Sequence, residues 1–130
     1  GGQVGCETAE HLAEQGKQVT ILEMLERIGN DIGLTTRWVI LQRLRNAGIA
    51  TVTGARVIEI SNKGVRAERG GSVELFEADS VVLAAGLTPD NELAQRLKDK
   101  VAEVYSIGDC AEVQKMANAI EAGFRVATAI

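Results

Sequence analysis

A helical pattern that starts on closely spaced glycines, stops on a glycine and runs into a short aliphatic strand constrains this chain most. Gly1-Gly2-Gln3-Val4-Gly5 leads into a segment, Gln3 to Gln15, in which Val4, Thr8, Ala9 and Leu12 recur on one face. Gly16 stands where a helix stop belongs. Val19-Thr20-Ile21-Leu22 follows, apolar and β-branched, and ends at Glu23, which reads as a buried strand. Helix, glycine turn and strand make the back half of a β-α-β unit.

The same grammar repeats once. After a loop holding Gly29-Asn30-Asp31 and Gly33, a second helix is expected from Thr36 to Ala47, capped by Thr35. Its inward face would carry Ile40, Leu41, Leu44 and Ala47, with Gly48 as its stop and Ile49 to Val52 as the next parallel strand. The pattern then changes. Arg56 to Ile60, Val65 to Arg69 and Val73 to Glu77 are short strand-like runs, separated by Asn62-Lys63-Gly64 and Gly70-Gly71. Such turns predict an antiparallel meander. Ser80 to Ala85 reads as a further buried strand, Glu92 to Lys98 as a short helix, Val104 to Ile107 as a strand and Lys115 to Ile130 as a terminal helix.

Composition supports this class. Apolar residues make up 45% of the 130 while aromatics are only 3%, so the core must be aliphatic, as parallel sheets flanked by helices are. The net charge of −4 comes without blocks of like charge, which disfavours nucleic acid and anionic membranes as partners. The longest apolar run, Val81 to Leu87, is too short to span a bilayer. Cys6 and Cys110 lie 104 positions apart and form no C-x-x-C pair, so a reducing cytoplasm is the default location.

The opening carries the first chemical reading. Gly2 and Gly5 have the spacing of the second and third glycines of G-x-G-x-x-G, if the first lies just before Gly1. The second glycine lets a pyrophosphate approach the backbone, and the third lets helix and strand pack closely. The helix start then offers free N–H groups to the phosphates. Glu23 follows Gly2 by 21 residues, at a strand end, where a carboxylate would accept hydrogen bonds from an adenosine ribose. That carboxylate would repel a 2′-phosphate, and Met24-Leu25-Glu26 offers no cation to receive one, so NADH is favoured over NADPH; Arg27 is the one nearby exception. A glycine-rich helix start also serves simple packing, and a strand-end acid is ordinary; only their order along one chain points to a nucleotide.

GGQVGCETAEHLAEQGKQVTILEM, with the later meander, resembles the NAD-binding insert of flavoproteins that hold FAD and NAD(P)H in two related domains. Ala84-Ala85-Gly86-Leu87-Thr88-Pro89 resembles the A-x-G-x-x-P segment by which that family's chain re-enters the FAD domain. Val104-Tyr105-Ser106-Ile107-Gly108-Asp109 resembles its h-h-x-h-G-D segment, whose Asp hydrogen-bonds the FAD ribityl chain. DIGLTTRWVILQRL, the short path from Pro89 to Tyr105, and GDC followed by Lys115 are similar to the C-terminal part of the 2-enoate reductase and 2,4-dienoyl-CoA reductase family, Old Yellow Enzyme-type NADH:flavin oxidoreductases.

The resemblance implies an α/β, Rossmann-like parallel sheet with flanking helices and a three-stranded antiparallel meander, its first strand missing. Residues 1–85 would be the NAD(H)-binding domain and 86–130 the return segment of the FAD-binding domain. It further implies that a parent enzyme's N-terminal barrel carries FMN and a [4Fe–4S] cluster, neither of them in these residues. Hydride would pass from NADH to FAD, electrons would pass through the cluster to FMN, and an activated C=C bond would be reduced. This chain would position the nicotinamide, with no catalytic acid, base or metal ligand of its own. The candidate cofactor-binding residues are Gly2, Gln3, Val4, Gly5, Glu7, Glu23, Met24, Ala85, Gly86, Gly108 and Asp109. Glu7 matches a Glu near the nicotinamide in related reductases, although stabilisation by the helix dipole alone would explain it. The partners implied are dinucleotides and the remainder of the parent polypeptide, with homo-oligomerisation left open. The isolated chain is expected to lack enoate reductase activity and to hold FAD poorly.

Other residues have plainer explanations. His11, flanked by Glu7 and Glu14 at helical spacing, reads as a solvated helix-face group. Cys6 reads as buried filler before thiolate, Cys110 has the same two readings, and Trp38 is core or domain-contact surface. Competing functions are a disulfide reductase, NADH oxidase or ferredoxin reductase of the same plan, and a non-catalytic NAD(H)-sensing module. The Gly108-Asp109 segment weighs against the sensor. A methyltransferase shares the glycine turn but not the meander. Either a segment such as Val101 to Ile107 fills the slot of the missing first strand, which is the preferred expectation, or the sheet is left incomplete.

Overall fold

The structure, a computed structural model, describes all 130 residues. It divides into two compact units, Gly1–Ala85 and Gly86–Ile130. In the first, α1 (Gln3–Glu14), β1 (Thr20–Leu22), α2 (Leu34–Asn46) and β2 (Ala50–Val52) alternate, and β1 and β2 pair in parallel with Ile21 opposite Thr51. Both helices stop on left-handed glycines: Lys17 N–H reaches back to Leu12 O across Gly16, and Ile49 N–H to Leu44 O across Gly48. The stops turn each chain directly into its strand.

α2 starts two residues earlier than its sequence suggests. Gly33 is its N-cap and no side chain caps it, so Thr35 lies inside the first turn rather than before it. Thr36 Oγ1 instead donates back to Gly33 O at 3.1 Å.

The core of this unit joins Cys6 and Ala9 of α1, Ile21 of β1, Leu44 of α2, Ile49, and two loop residues, Ile28 and Ile32. Val19, Ile40 and Leu41 pack against it. Val4 and Ala47, expected to face inward, are exposed. Beside the sheet, Arg43 of α2 grips Glu10 of α1 through two hydrogen bonds of 2.5 and 2.6 Å.

The meander forms as β3 (Arg56–Ser61), β4 (Gly64–Arg69) and β5 (Ser72–Glu77), antiparallel in that order. Val65 and Ala67 of the central strand are buried, and a bulge lies between Val57 and Glu59. On one face Arg66 pairs with Glu59 at 2.7 Å, and Arg56 with Glu68.

Two expected strands are absent. Ser80 to Ala85 and Val104 to Ile107 carry no strand pairing, and β1 is bonded to β2 alone. The idea that Val101 to Ile107 replaces the first strand is therefore overturned. An apolar run becomes a strand only where a partner edge exposes its N–H and C=O groups, and the two-stranded sheet gains no such partner here.

The second unit holds α3 (Glu92–Leu97), a 3₁₀ turn (Gly108–Cys110) and α4 (Met116–Ala129). All ten buried apolar residues of the chain belong to the first unit. α4 keeps Met116, Ile120 and Phe124, four apart on one face, exposed. No helix is long and apolar enough to cross a membrane.

Candidate functional site

The site is built where α1 begins. Gly1 and Gly2 precede the first helical residue, and the helix's first closed turn runs from Cys6 N–H to Gly2 O at 2.9 Å. Their bare Cα atoms permit close neighbours: a Cβ at Gly1 would meet Ile28 Cγ2 at 2.7 Å and Glu23 Oε2 at 2.9 Å, and one at Gly2 would meet Asp31 Oδ2 at 3.0 Å. Side chains at these glycines would displace the groups that face them. Gly5 serves packing, since its Cβ would stand 3.3 Å from that of Ala84.

Glu23 is delivered to this point by the parallel ladder. Its N–H donates to Val52 O and its C=O accepts from Ala55 N–H, both at 2.9 Å, so the backbone is held on either side of the side chain. Its Oε2 lies 2.9 Å from Gly1 N and its Oε1 accepts from Leu25 N–H at 2.8 Å, leaving the side chain only 14% exposed. Burial opposes its charge, while backbone N–H groups of Leu25 and Met24 favour the ionised form, and the carboxyl lies below its ordinary range. The spacing of 21 residues between Gly2 and Glu23 thus brings Glu23 beside the start of α1.

A third group closes the cluster and was not among the candidates. Asp31 places both carboxylate oxygens on Gln3 N–H, at 2.9 and 3.0 Å. This carboxylate sits at the positive end of α1, the position that suits an anion. The loop bearing it is stapled down: Gly29 N–H donates to Gly1 O at 2.7 Å, and Arg37 of α2 donates Nε–H and Nη2–H to Ile28 O at 3.1 and 2.8 Å. Only an acid among glycines hinted at it in the sequence, and its partner is 28 positions away.

The other candidates spread out. Val4 and Met24 are exposed, and Glu7 accepts from Gln3 Nε2 at 2.9 Å on the surface of α1. Arg27 is exposed, its C=O accepting from Asn30 Nδ2. Ala85 ends the first unit and Gly86 begins the second. In that second unit Gly108 opens the 3₁₀ turn, and Asp109 accepts from Gln114 N–H at 3.3 Å beside Lys115 and Asn118, in a recess at the start of α4.

The remaining reactive side chains are accounted for. Burial pushes the Cys6 thiol up, and its Sγ–H points to Gly1 O at 3.4 Å, as a packed thiol would. Cys110 is exposed with Sγ 3.1 Å from Ile107 O. His11 bonds Gln15 at 2.9 Å rather than Glu7 or Glu14. Trp38 is 67% exposed, so it is surface and not core. No group of three or more His, Cys, Asp or Glu residues is placed to hold a metal ion.

The family described as pyridine nucleotide-disulphide oxidoreductase matches residues 1–123. An NADH oxidase of Thermoanaerobacter brockii is 44% identical over 129 residues, covering 98% of this chain and 20% of that protein. A bilirubin reductase of Mediterraneibacter gnavus is 37% identical over 131 residues, 100% of this chain and 20% of the relative. The solved complex of 2-naphthoyl-CoA reductase with 2-naphthoyl-CoA superimposes with a TM-score of 0.87 at 36% identity, over 100% of this chain and 20% of that one. The chain therefore spans about one fifth of the relatives it matches. With the match running almost end to end, the chain belongs to the pyridine nucleotide-disulphide oxidoreductase family.

Proposed function

We propose that Gly1–Ala85 binds NADH in a flavin-dependent oxidoreductase and that Gly86–Ile130 contributes part of the FAD site. The observation that carries this reading is the meeting of Glu23 with the glycine start of α1, Oε2 to Gly1 N at 2.9 Å. Bare backbone and an N–H-rich helix start suit the pyrophosphate, and a half-buried, ionised Glu23 suits the ribose hydroxyls of the adenosine half. Gly2, Gln3, Val4 and Gly5 form the phosphate end, Glu23 and Met24 the adenosine end. Glu7, one to two turns along α1, lies toward the nicotinamide. Ala85 and Gly86 begin the return toward the flavin, and Gly108 and Asp109 hold its ribityl chain.

When bound, the nicotinamide supplies a hydride to the flavin. This chain's residues bind and orient, and none of them acts as acid, base or nucleophile. The parent enzyme reduces activated C=C bonds of enoates or acyl-CoA thioesters, drawing on FMN and a [4Fe–4S] cluster outside these residues. The likeness to 2-naphthoyl-CoA reductase supports that substrate class. The absence of any buried apolar residue in Gly86–Ile130 supports the remainder of a FAD domain as its partner.

Anaerobic stopped-flow on the intact flavoprotein tests this. NADH should bleach the flavin absorbance, and an α,β-unsaturated acid or its CoA thioester should restore it. The Thermoanaerobacter brockii relative favours a second reading, an NADH oxidase. Restoration by oxygen with no response to enoates would select it, and restoration by a disulfide alone would select a disulfide reductase.

A further inference from the structure

We propose that Asp31 is an intramolecular competitor for the dinucleotide: its carboxylate holds the phosphate-binding N–H of Gln3 and must leave it when the ligand's pyrophosphate arrives. The inference rests on the dinucleotide reading above and goes beyond it by assigning the site an internal gate. Gln3 has one backbone N–H, and both oxygens of Asp31 converge on it at 2.9 and 3.0 Å. Asp31 Oδ2 also covers Gly2, standing 3.0 Å from where its Cβ would be, so the carboxylate occupies the approach that the missing side chain leaves open. Two anions cannot share one donor at the head of a helix without repulsion.

The loop is held at its ends and exposed at its tip, with Gly29 N–H on Gly1 O and Ile32 N–H on Gly29 O. Ile28 and Ile32 on either side are buried in the core, and Arg37 fixes the Ile28 carbonyl. Between them Asn30 and Asp31 are exposed. The span can lift Asp31 off α1 while both anchors stay packed. A ligand then binds only the fraction of molecules with Asp31 displaced, and its apparent affinity falls by that fraction.

The test is calorimetry on the intact flavoprotein, wild type and Asp31→Asn, with NADH, ADP-ribose and adenosine. Removing the charge should tighten NADH and ADP-ribose roughly tenfold, the worth of about one charge-assisted contact, while adenosine, lacking a phosphate, stays unchanged. Unchanged or weaker NADH binding in Asp31→Asn, or equal tightening of adenosine, overturns the competitor role while leaving the dinucleotide site standing. Wild-type protein that binds neither NADH nor ADP-ribose sinks both readings. If the variant fails to fold, hydrogen exchange in the wild type decides: saturating ADP-ribose should speed exchange across residues 29–32, and slower or unchanged exchange there overturns the proposal.

Discussion

Arg37 and Ile28 are joined by two hydrogen bonds from one guanidinium edge to one carbonyl, at 3.1 and 2.8 Å, and this clamp ties α2 to the loop that crosses the head of α1. The contact turns a helix side chain into a support for the loop over the start of α1. Arg37→Met keeps the aliphatic stem and removes both bonds, leaving the Ile28 carbonyl without its donor. Urea unfolding should show a loss of about 1–3 kcal/mol, the range for a hydrogen bond to a charged group. Lys, with a single point of charge, should recover only part of it. A stability equal to wild type in Arg37→Met would show that the clamp contributes nothing.

Gly5 of α1 lies against Ala84, so that an ideal Cβ at Gly5 would stand 3.3 Å from the Ala84 Cβ. Ala at position 5 asks its neighbour to give by tenths of an ångström, whereas Val adds two methyls where none fit. Gly5→Val should destabilise by about 1–3 kcal/mol in thermal or urea unfolding, and Gly5→Ala by clearly less. Equal losses would mean that backbone freedom, not the approach of Ala84, decides the residue here.

These contacts show where sequence reading succeeds and stops. The glycine stops at Gly16 and Gly48 and the tight turns of the meander were legible because each depends on neighbours in the chain. Glu23 was legible because a helix and strand of fixed length carry it to the glycines. Ser80 to Ala85 and Val104 to Ile107 misled because apolar β-branched runs report burial, while a strand also needs a partner edge. Asp31 stayed hidden for the complementary reason: its role arises only when a loop folds over a helix 28 positions away. His11 took Gln15 in place of either acid, a choice among neighbours on one helix face that spacing alone does not rank.

Glu23 also gives a sign for pH dependence. Its folded carboxyl lies below the ordinary range, against the pull of burial, with the Leu25 and Met24 N–H groups favouring the charged form. A lowered folded value means stabilisation that is present above the unfolded carboxylate value of about 4.3 and is lost as pH falls through the folded one. Glu23→Gln should therefore flatten the acid side of the stability curve, with the gap between variant and wild type shrinking as pH drops. Parallel curves across that range, measured by urea unfolding, would assign the acid limb to other carboxylates.

The same carboxylate should choose between coenzymes. Glu23 is largely buried and ionised, with its Oε1 already held by Leu25 N–H, so it cannot swing away from an incoming 2′-phosphate without breaking that bond. In the proposed binding mode NADH would donate a ribose hydroxyl to this carboxylate, while NADPH would bring a second anion there. Calorimetry on the intact flavoprotein should find NADH tighter than NADPH by at least roughly tenfold, ~1.4 kcal/mol. Glu23→Ala should close most of that gap by losing NADH affinity and relieving the repulsion of NADPH together. Arg27 is exposed and is the cation nearest Glu23 in the sequence, so Arg27→Ala is the companion variant. If selectivity survives Glu23→Ala unchanged, the ribose contact lies elsewhere and Glu23 serves only to tie β1 to the start of α1.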